Sequence, residues 1–548
     1  MKPLLPPSLT VAAAVDGPRD AFDRLTFLGW RGGLAAIMAG LAASFFLFGY
    51  ALVYWRNADM DFMVIYNALL LNDGKPQQFF DHPAYLTILL VQTWFRWLHE
   101  LGLLDAWTLS AIPTASDSTA FDAAMTQAVR AGRLLAWLLA AGSVLIFACL
   151  IRRIVADWRV ALIAVLAFAL SGGIAVHSRI LRSELLAACP VIFALMILMV
   201  IGRRASRARP LLMAAAAALC VLGLENKVQA ILLIGTLPLL GLAFGAAAGS
   251  SVAFWRRSRA RWGAALALAA LAIALAFAAA PLIATGFDPA VLDAAHFHPL
   301  LGAGFGVYQT ALLALIGFAM IAFAMIWRVS AAETLASLAA VAAGAALALL
   351  VLDLDYNVGN VIAVINPLEK MLSFADVTTA DATAQGAPLS QMVWLLFDGI
   401  GSVLARYSFV LHPSPRPTVF LTWLIIPGLL LAWRRGERQA AIQSLLLLGA
   451  AIAIDTLGAR RGLKSEYFIF TDPLIILAGA ILLDRLGDLR FRHATYVIGL
   501  LLFSVHVAVG QAEPVKYALM RRGPEAICAW SPYYLPQLAL PWCAEGRP

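Results

Sequence analysis

Unbroken apolar runs about twenty residues long decide what this chain can become. Residues 34–54 and 266–284 are two of many. A helix of that length crosses a hydrocarbon core of about 30 Å. The runs do not alternate polar and apolar positions, which argues for membrane-spanning helices and against a barrel. Composition points the same way: of 548 residues, 62% are hydrophobic and only 13% charged.

A net charge of +8 would suit a nucleic-acid binder if the basic residues formed one patch. They do not. They punctuate the short loops, as membrane topology requires. No nucleic-acid partner is expected; membrane lipids are. Residues 1–30 are polar and mixed, unlike a cleavable signal peptide, so the first run is expected to stay as an anchor.

The arginine-bearing turns fall on alternate connections. They include Arg152, Arg153 and Arg159, then Arg203, Arg207 and Arg209, then Arg256–Arg261, Arg328, Arg434–Arg438 and Arg485. The positive-inside rule makes these turns cytoplasmic. The resulting scheme is an all-α polytopic membrane protein of about thirteen spans. It has a cytoplasmic segment 1–31, a transmembrane domain 32–512 and an outer tail 513–548. The first outer loop is 56–126 and a later one 353–418. Residues 389–411 are apolar but carry Asp398 and Arg406; as a span they would put the Arg434–Arg438 cluster outside. They are expected to lie along the outer interface or re-enter it.

Cysteine usage fits this sidedness. Cys149, Cys189 and Cys220 sit in or beside apolar runs and are expected to be packing residues. Cys528 and Cys543 lie in the outer tail, where an oxidising compartment lets them pair.

The outer side holds most of the chemistry-bearing residues. Asp59 and Asp61 directly follow the first span, and a carboxylate there is costly to desolvate and can be raised toward a general base. The turn after the third span packs His177, Arg179, Arg182 and Glu184. Later outer turns carry Glu225-Asn226-Lys227, and Arg460, Arg461, Lys464, Glu466 and Tyr467. Topology does not call for outer cations. Binding an anionic headgroup, such as a lipid phosphate, supplies a reason.

The pattern Asp59-x-Asp61-Phe62, Asn67-Ala68, Gly74, Phe79-Phe80-Asp81-His82-Pro83 resembles the first-loop signature of the GT-C glycosyltransferases, in particular protein O-mannosyltransferases and lipid A aminoarabinose transferases. Arg182-x-Glu184 resembles that family's second acidic loop. Gly223-Leu-Glu-Asn-Lys227 and Glu466-Tyr467 through Pro473 resemble its later elements. The likeness is clear over residues 33–240 and weaker beyond. Two departures stand out: Met60 separates the acidic pair, and Glu466 stands where a cation is common.

The resemblance implies a GT-C fold with interfacial helices in the first loop, in a bacterial inner membrane with a periplasmic C-terminus. It implies transfer of a sugar from a polyprenyl-phosphate-linked donor to a hydroxyl of a glycolipid, polysaccharide or protein acceptor on the outer face. Asp59 or Asp61 would be the base, with Asp59 favoured. Glu184 would join the catalytic set, and with His82 orient the acceptor or the carboxylate. Arg182, Lys227, Arg460, Arg461, Lys464 and Tyr467 would bind substrate. No cofactor is required; Asp59, Asp61 and His82 have the chemistry to hold a divalent cation. The competing readings are a transporter or flippase for a lipid-linked or anionic substrate, and a non-catalytic scaffold. A transporter would place its ionisable residues mid-membrane. Here only Asp455 and His506 do so, and both are expected to be buried and satisfied.

Overall fold

The computed structural model describes residues 29–56, 58–78, 84–203, 206–227, 229–245, 251–285, 305–356, 389–408, 419–458, 465–486, 492–519 and 523–543. Among these residues the regular structure is entirely helical. In chain order the helices are α1 (Gly29–Phe45), continued by a wider turn Phe46–Tyr50; α2 (Ala58–Asn72); α3 (Tyr85–Glu100); α4 (Ser118–Ile154); α5 (Trp158–Ala169); α6 (Gly172–His177); α7 (Glu184–Arg203); and α8 (Arg209–Asn226). There follow α9 (Ala230–Gly245), α10 (Ala253–Arg257), α11 (Ala260–Thr285), α12 (Phe305–Ile326), α13 (Ala331–Tyr356), α14 (Leu389–Ser408), α15 (Val419–Arg434), α16 (Arg438–Gly458), α17 (Asp472–Leu486), α18 (Arg492–Leu519) and α19 (Ser531–Tyr534).

Seven described helices are long and apolar enough to cross a membrane: Gly29–Tyr50, Ser118–Ile154, Glu184–Arg203, Arg209–Asn226, Ala260–Leu282, Ala331–Asp353 and Arg438–Thr456. Shorter apolar helices, including Trp158–Ala169, Ala230–Gly245 and Thr422–Arg434, accompany them. The chain is a polytopic membrane protein, but length and composition do not establish the expected count of thirteen. The third expected span, 160–176, is not one helix. It breaks at Leu170, and Ser171 caps a new helix by accepting a hydrogen bond from the Ile174 amide. A serine followed by two glycines favours a new start over continuation.

The arginine-bearing turns gather at one end of the bundle. The Asp484 carboxylate accepts from the amides of Ala156 and Asp157, tying the turn after α4 to the end of α17. Arg209 pairs with Glu333 at 2.9 Å, joining the starts of α8 and α13. Gln443 near the start of α16 donates to the Ala243 carbonyl near the end of α9.

At the opposite end α14 lies across its neighbours. Gly399 sits against Thr456, while Tyr407, eight residues on, donates to the Asp455 carboxylate at 2.7 Å. A helix running alongside α16 would separate those contacts by about 12 Å. The side chains of α14 split by face: Val403 and Tyr407 are buried, Phe397 and Leu404 exposed. Asp455, in the last turn of α16, also accepts from Thr471, so this carboxylate is satisfied within the bundle.

Among the described residues two hydrophobic cores are far larger than the rest. The larger fills the bundle, with Phe147 stacked on Phe168 and the apolar faces of α7 and α17 inside it. The smaller lies beyond the bundle at the α14 end. It joins α2, α3, the start of α4 and the tail, through residues such as Phe62, Leu69, Phe95, Phe121 and Leu540. The 37-residue α4 connects them. Such a helix is about 55 Å long, so its first turns stand clear of the bilayer and support the first loop. That loop, read from the sequence as a polar stretch with interfacial helices, has a core of its own.

Candidate functional site

The site end begins where α1 stops. Arg133 on α4 is fully buried, and its N–H donors all meet acceptors between Gly49 and Asp61. Nε meets Asp61 Oδ2 at 2.7 Å. Nη1 donates to the carbonyls of Gly49 and Leu52, and Nη2 to those of Tyr54 and Arg56. The Gly49 carbonyl also accepts from the Leu52 amide, and the four acceptors together tie the segment between α1 and α2 to α4. Tyr54 is fixed further by a 2.5 Å hydrogen bond to Asp122; burial, and then that carboxylate, push its phenol well above the usual range. Asp61 accepts at its other oxygen from the Leu181 amide at 2.6 Å, so both carboxylate oxygens are engaged and the side chain is fully buried.

That second bond brings in the turn between α6 and α7. Arg179 turns away from the site, donating to Ser44 and Gln511. Arg182 faces it. Its guanidinium grips Glu184 through Nε at 3.2 Å and Nη2 at 3.1 Å, and Nη2 lies 3.7 Å from Glu466. Glu184 is fully buried and shares Oε1 with Lys227 at 2.7 Å. The Lys227 ammonium lies over the Tyr467 ring, 5.5 Å from its centroid. The cations therefore surround one carboxylate, in the geometry that makes burying such charges tolerable.

Two local features allow the convergence. A Cβ at Gly223 would sit 2.6 Å from the Ala187 carbonyl oxygen, so only glycine lets α8 close on α7 and deliver Lys227 to Glu184. Asn226 then bolts on the first loop. Its amide donates to the Ser183 carbonyl. Its side-chain oxygen accepts from the amide and hydroxyl of Thr87, and its carbonyl accepts from the Ala84 amide. Asn226 thereby caps α3 from a distant part of the chain, filling donors that Ala84, at φ +53°, does not. At the other side of the loop Gly74, at φ +72°, ends α2, with the Lys75 amide reaching back to the Leu70 carbonyl.

Of the residues singled out in the sequence, the fold brings together Arg182, Glu184, Lys227 and Tyr467, and links Asp61 to them through Leu181. The side chain of Asp59, and His82, Arg460, Arg461 and Lys464, lie outside the described residues. Cys528 and Cys543 are joined by a disulfide. Among the described residues no three His, Cys, Asp or Glu side chains gather as metal ligands. The sequence reading missed Arg133, and it named Asn226 in a charged turn without giving it a role. Arg133 had a signal: an arginine at the edge of an apolar run needs a buried partner. Asn226 had none beyond its place between two charged residues.

No family model matches the chain, and no curated protein does. Two solved structures from Archaeoglobus fulgidus are similar in outline. One is an oligosaccharyltransferase in the apo form, 12% identical with a TM-score of 0.43. The other is the archaeal oligosaccharyltransferase AglB in complex with an inhibitory peptide and a dolichol-phosphate, 13% identical with a TM-score of 0.42. Each alignment covers 96% of this chain and 61% of the other. At that distance the function must be argued from the site.

Proposed function

We propose that the chain is an integral-membrane glycosyltransferase that moves a sugar from a polyprenyl-phosphate-linked donor to an acceptor hydroxyl at the α14 end of the bundle. One observation carries the reading: Glu184 gathers Arg182 and Lys227 into a buried cluster beside the loop that bears the acidic pair, as the GT-C-like motifs imply. The positive-inside rule would turn this end outward, toward the periplasm of a bacterial inner membrane.

Asp59 is assigned the base, because Asp61 is engaged by Arg133 and Leu181 and serves instead to hold α2. The acceptor hydroxyl gives its proton to Asp59 as its oxygen attacks the anomeric carbon. The bond from that carbon to the phosphate oxygen breaks, inverting the centre and releasing polyprenyl phosphate. Arg182 and Lys227, with Arg460, Arg461 and Lys464, hold the leaving negative charge. Glu184 is a positioning residue that keeps its two cations in place, and His82 orients the acceptor. The proton transfer and the charge stabilisation described need no metal ion.

The test is transfer of radiolabelled sugar from polyprenyl-phosphate donors by the purified full chain. Asp59→Asn should abolish transfer and Arg182→Gln should reduce it about a hundredfold. Full transfer by both Asp59→Asn and Asp61→Asn would sink the mechanism, and uptake of label into vesicles without transfer would indicate a transporter.

A further inference from the structure

The disulfide closes a short tail onto the first loop, and the side chains it turns outward are distinctive. Ile527, Leu535, Leu538 and Leu540 are all buried against the loop core, and Trp542 packs near Tyr54 and Phe121. The tail is also pinned by polar contacts: the Gln537 amide donates to the Tyr66 hydroxyl, and Lys75 donates to the Gln537 side chain. Outward stands Tyr533, with Trp530 and Tyr534 half-buried behind it against the loop core. Tyr533 is 77% exposed, its ring edge-on to Tyr534, which in turn meets Trp530. Tyr534 packs on Met63. Position 59 lies one helical turn before Met63 on α2, so the aromatic group stands by the face of α2 on which position 59 falls.

A surface meant for acyl chains would expose aliphatic residues. In the disulfide-closed segment from residue 523 to 543 every leucine and isoleucine is turned in, and the exposed large ring carries a hydroxyl. Flat rings with polar tips match the two surfaces of a sugar: the C–H face that stacks and the hydroxyl rim that hydrogen-bonds. Rigid, pre-placed tyrosines lose little entropy on binding, and the disulfide keeps this group fixed. We infer that Trp530, Tyr533 and Tyr534 form a carbohydrate-binding shelf that receives sugar rings of a glycan acceptor beside α2. Its role as an acceptor site rests on the transferase reading above; its affinity for sugar rings does not.

The test uses the full chain in nanodiscs, with methyl hexopyranosides and methyl pentosides as probes, read by saturation-transfer NMR. The wild type should transfer saturation to ring C–H protons. Tyr533→Ala should weaken binding about tenfold, and Tyr533→Phe, which keeps the ring, should stay within about twofold. Tyr533 is exposed, so neither change threatens folding. Absence of glycoside binding, or equal binding by Tyr533→Ala, overturns the shelf. So does broadening of a fluorotyrosine signal at position 533 by spin-labelled phosphatidylglycerol, which would make the group a membrane contact. Sugar binding that depends on Tyr533 without any transfer would retain the shelf and reject the transferase; transfer with no Tyr533 dependence in binding or acceptor KM would do the reverse.

Discussion

The division of labour between Asp59 and Asp61 makes the sharpest prediction. Asp61 and Arg133 are both fully buried at 2.7 Å. At an effective dielectric of about 20, the gross attraction at that distance is about 6 kcal/mol. Desolvation cancels much of it in the intact pair, but not when one partner is lost; breaking such a pair costs about 3–5 kcal/mol. In Asp61→Asn the new amide can accept from only one of Arg133 Nε and the Leu181 amide, and turns its own N–H groups toward the other. Arg133 keeps four carbonyl acceptors, which offsets part of the loss, so the expected cost is about 3 kcal/mol. Arg133→Met should cost at least as much, and the double variant should recover about 2 kcal/mol of the summed loss. The assay is reversible unfolding in mixed micelles by titration with sodium dodecyl sulfate, alongside transfer activity. Asp59→Asn should keep wild-type stability and lose transfer. A coupling below about 0.5 kcal/mol between positions 61 and 133 would refute the structural role of Asp61. So would an Asp61→Asn variant of full stability that is the more inactive of the two.

Glu184→Gln leaves the Lys227 ammonium buried without its carboxylate, and should cost about 3 kcal/mol in the same titration; adding Lys227→Met should return most of it, while transfer stays lost. Replacing both Cys528 and Cys543 by serine opens a link with a sequence separation of 15. It should loosen the tail by about 3 kcal/mol, read as faster proteolysis after residue 523 with the bundle intact. Burial alone would raise the Asp73 carboxyl, but hydrogen bonds from Ser110 and the ammonium of Lys75 outweigh it and hold it below the usual carboxylate range. A group with a lowered folded-state pKa stabilises above its ordinary value, and loses that contribution as pH falls through the folded one. The protection factor of the Ser110 amide should therefore fall below about pH 4, and Asp73→Asn should remove the dependence.

The bundle was legible because a membrane makes each segment satisfy its own backbone, so spans announce themselves locally. The arginine-bearing turns were legible for the same reason, and the fold collects them at one end. The partners of the site charges were not. Arg182, Glu184 and Lys227 stood out as charges in apolar surroundings, but Glu184 meets Lys227 only because Gly223 lets two helices touch, and no local pattern encodes that contact. The break in the third span, between Leu170 and Ser171, was missed because apolar content hid a capping signal that was present. Asp61 could not be told from Asp59 in the sequence because its partner, Arg133, lies 72 residues away.

The charge balance of the cluster sets what the remaining basic residues must do. Arg182 and Lys227 are met by Glu184, and Glu466 stands 3.7 Å from Arg182, so two cations face two carboxylates. Such a group has much of its charge balanced before a ligand arrives, so Arg182 and Lys227 alone answer only part of a phosphate's charge. Lys227 is almost fully buried, whereas the Arg182 side chain is 11% exposed, so Arg182 is the cation a ligand can reach. In the proposed reaction a second negative charge appears on the phosphate as the sugar leaves, and something must balance it. The cations left for that task by the sequence are Arg460, Arg461 and Lys464, directly before Glu466. Glutamine at all three should then cost kcat for transfer far more than donor affinity, because the charge they answer exists only as the bond breaks. Glu466→Gln should act in the opposite sense, tightening donor binding by exposing the charge of Arg182. Equal losses in donor affinity and kcat for the triple variant would show that these residues bind the donor already in its ground state.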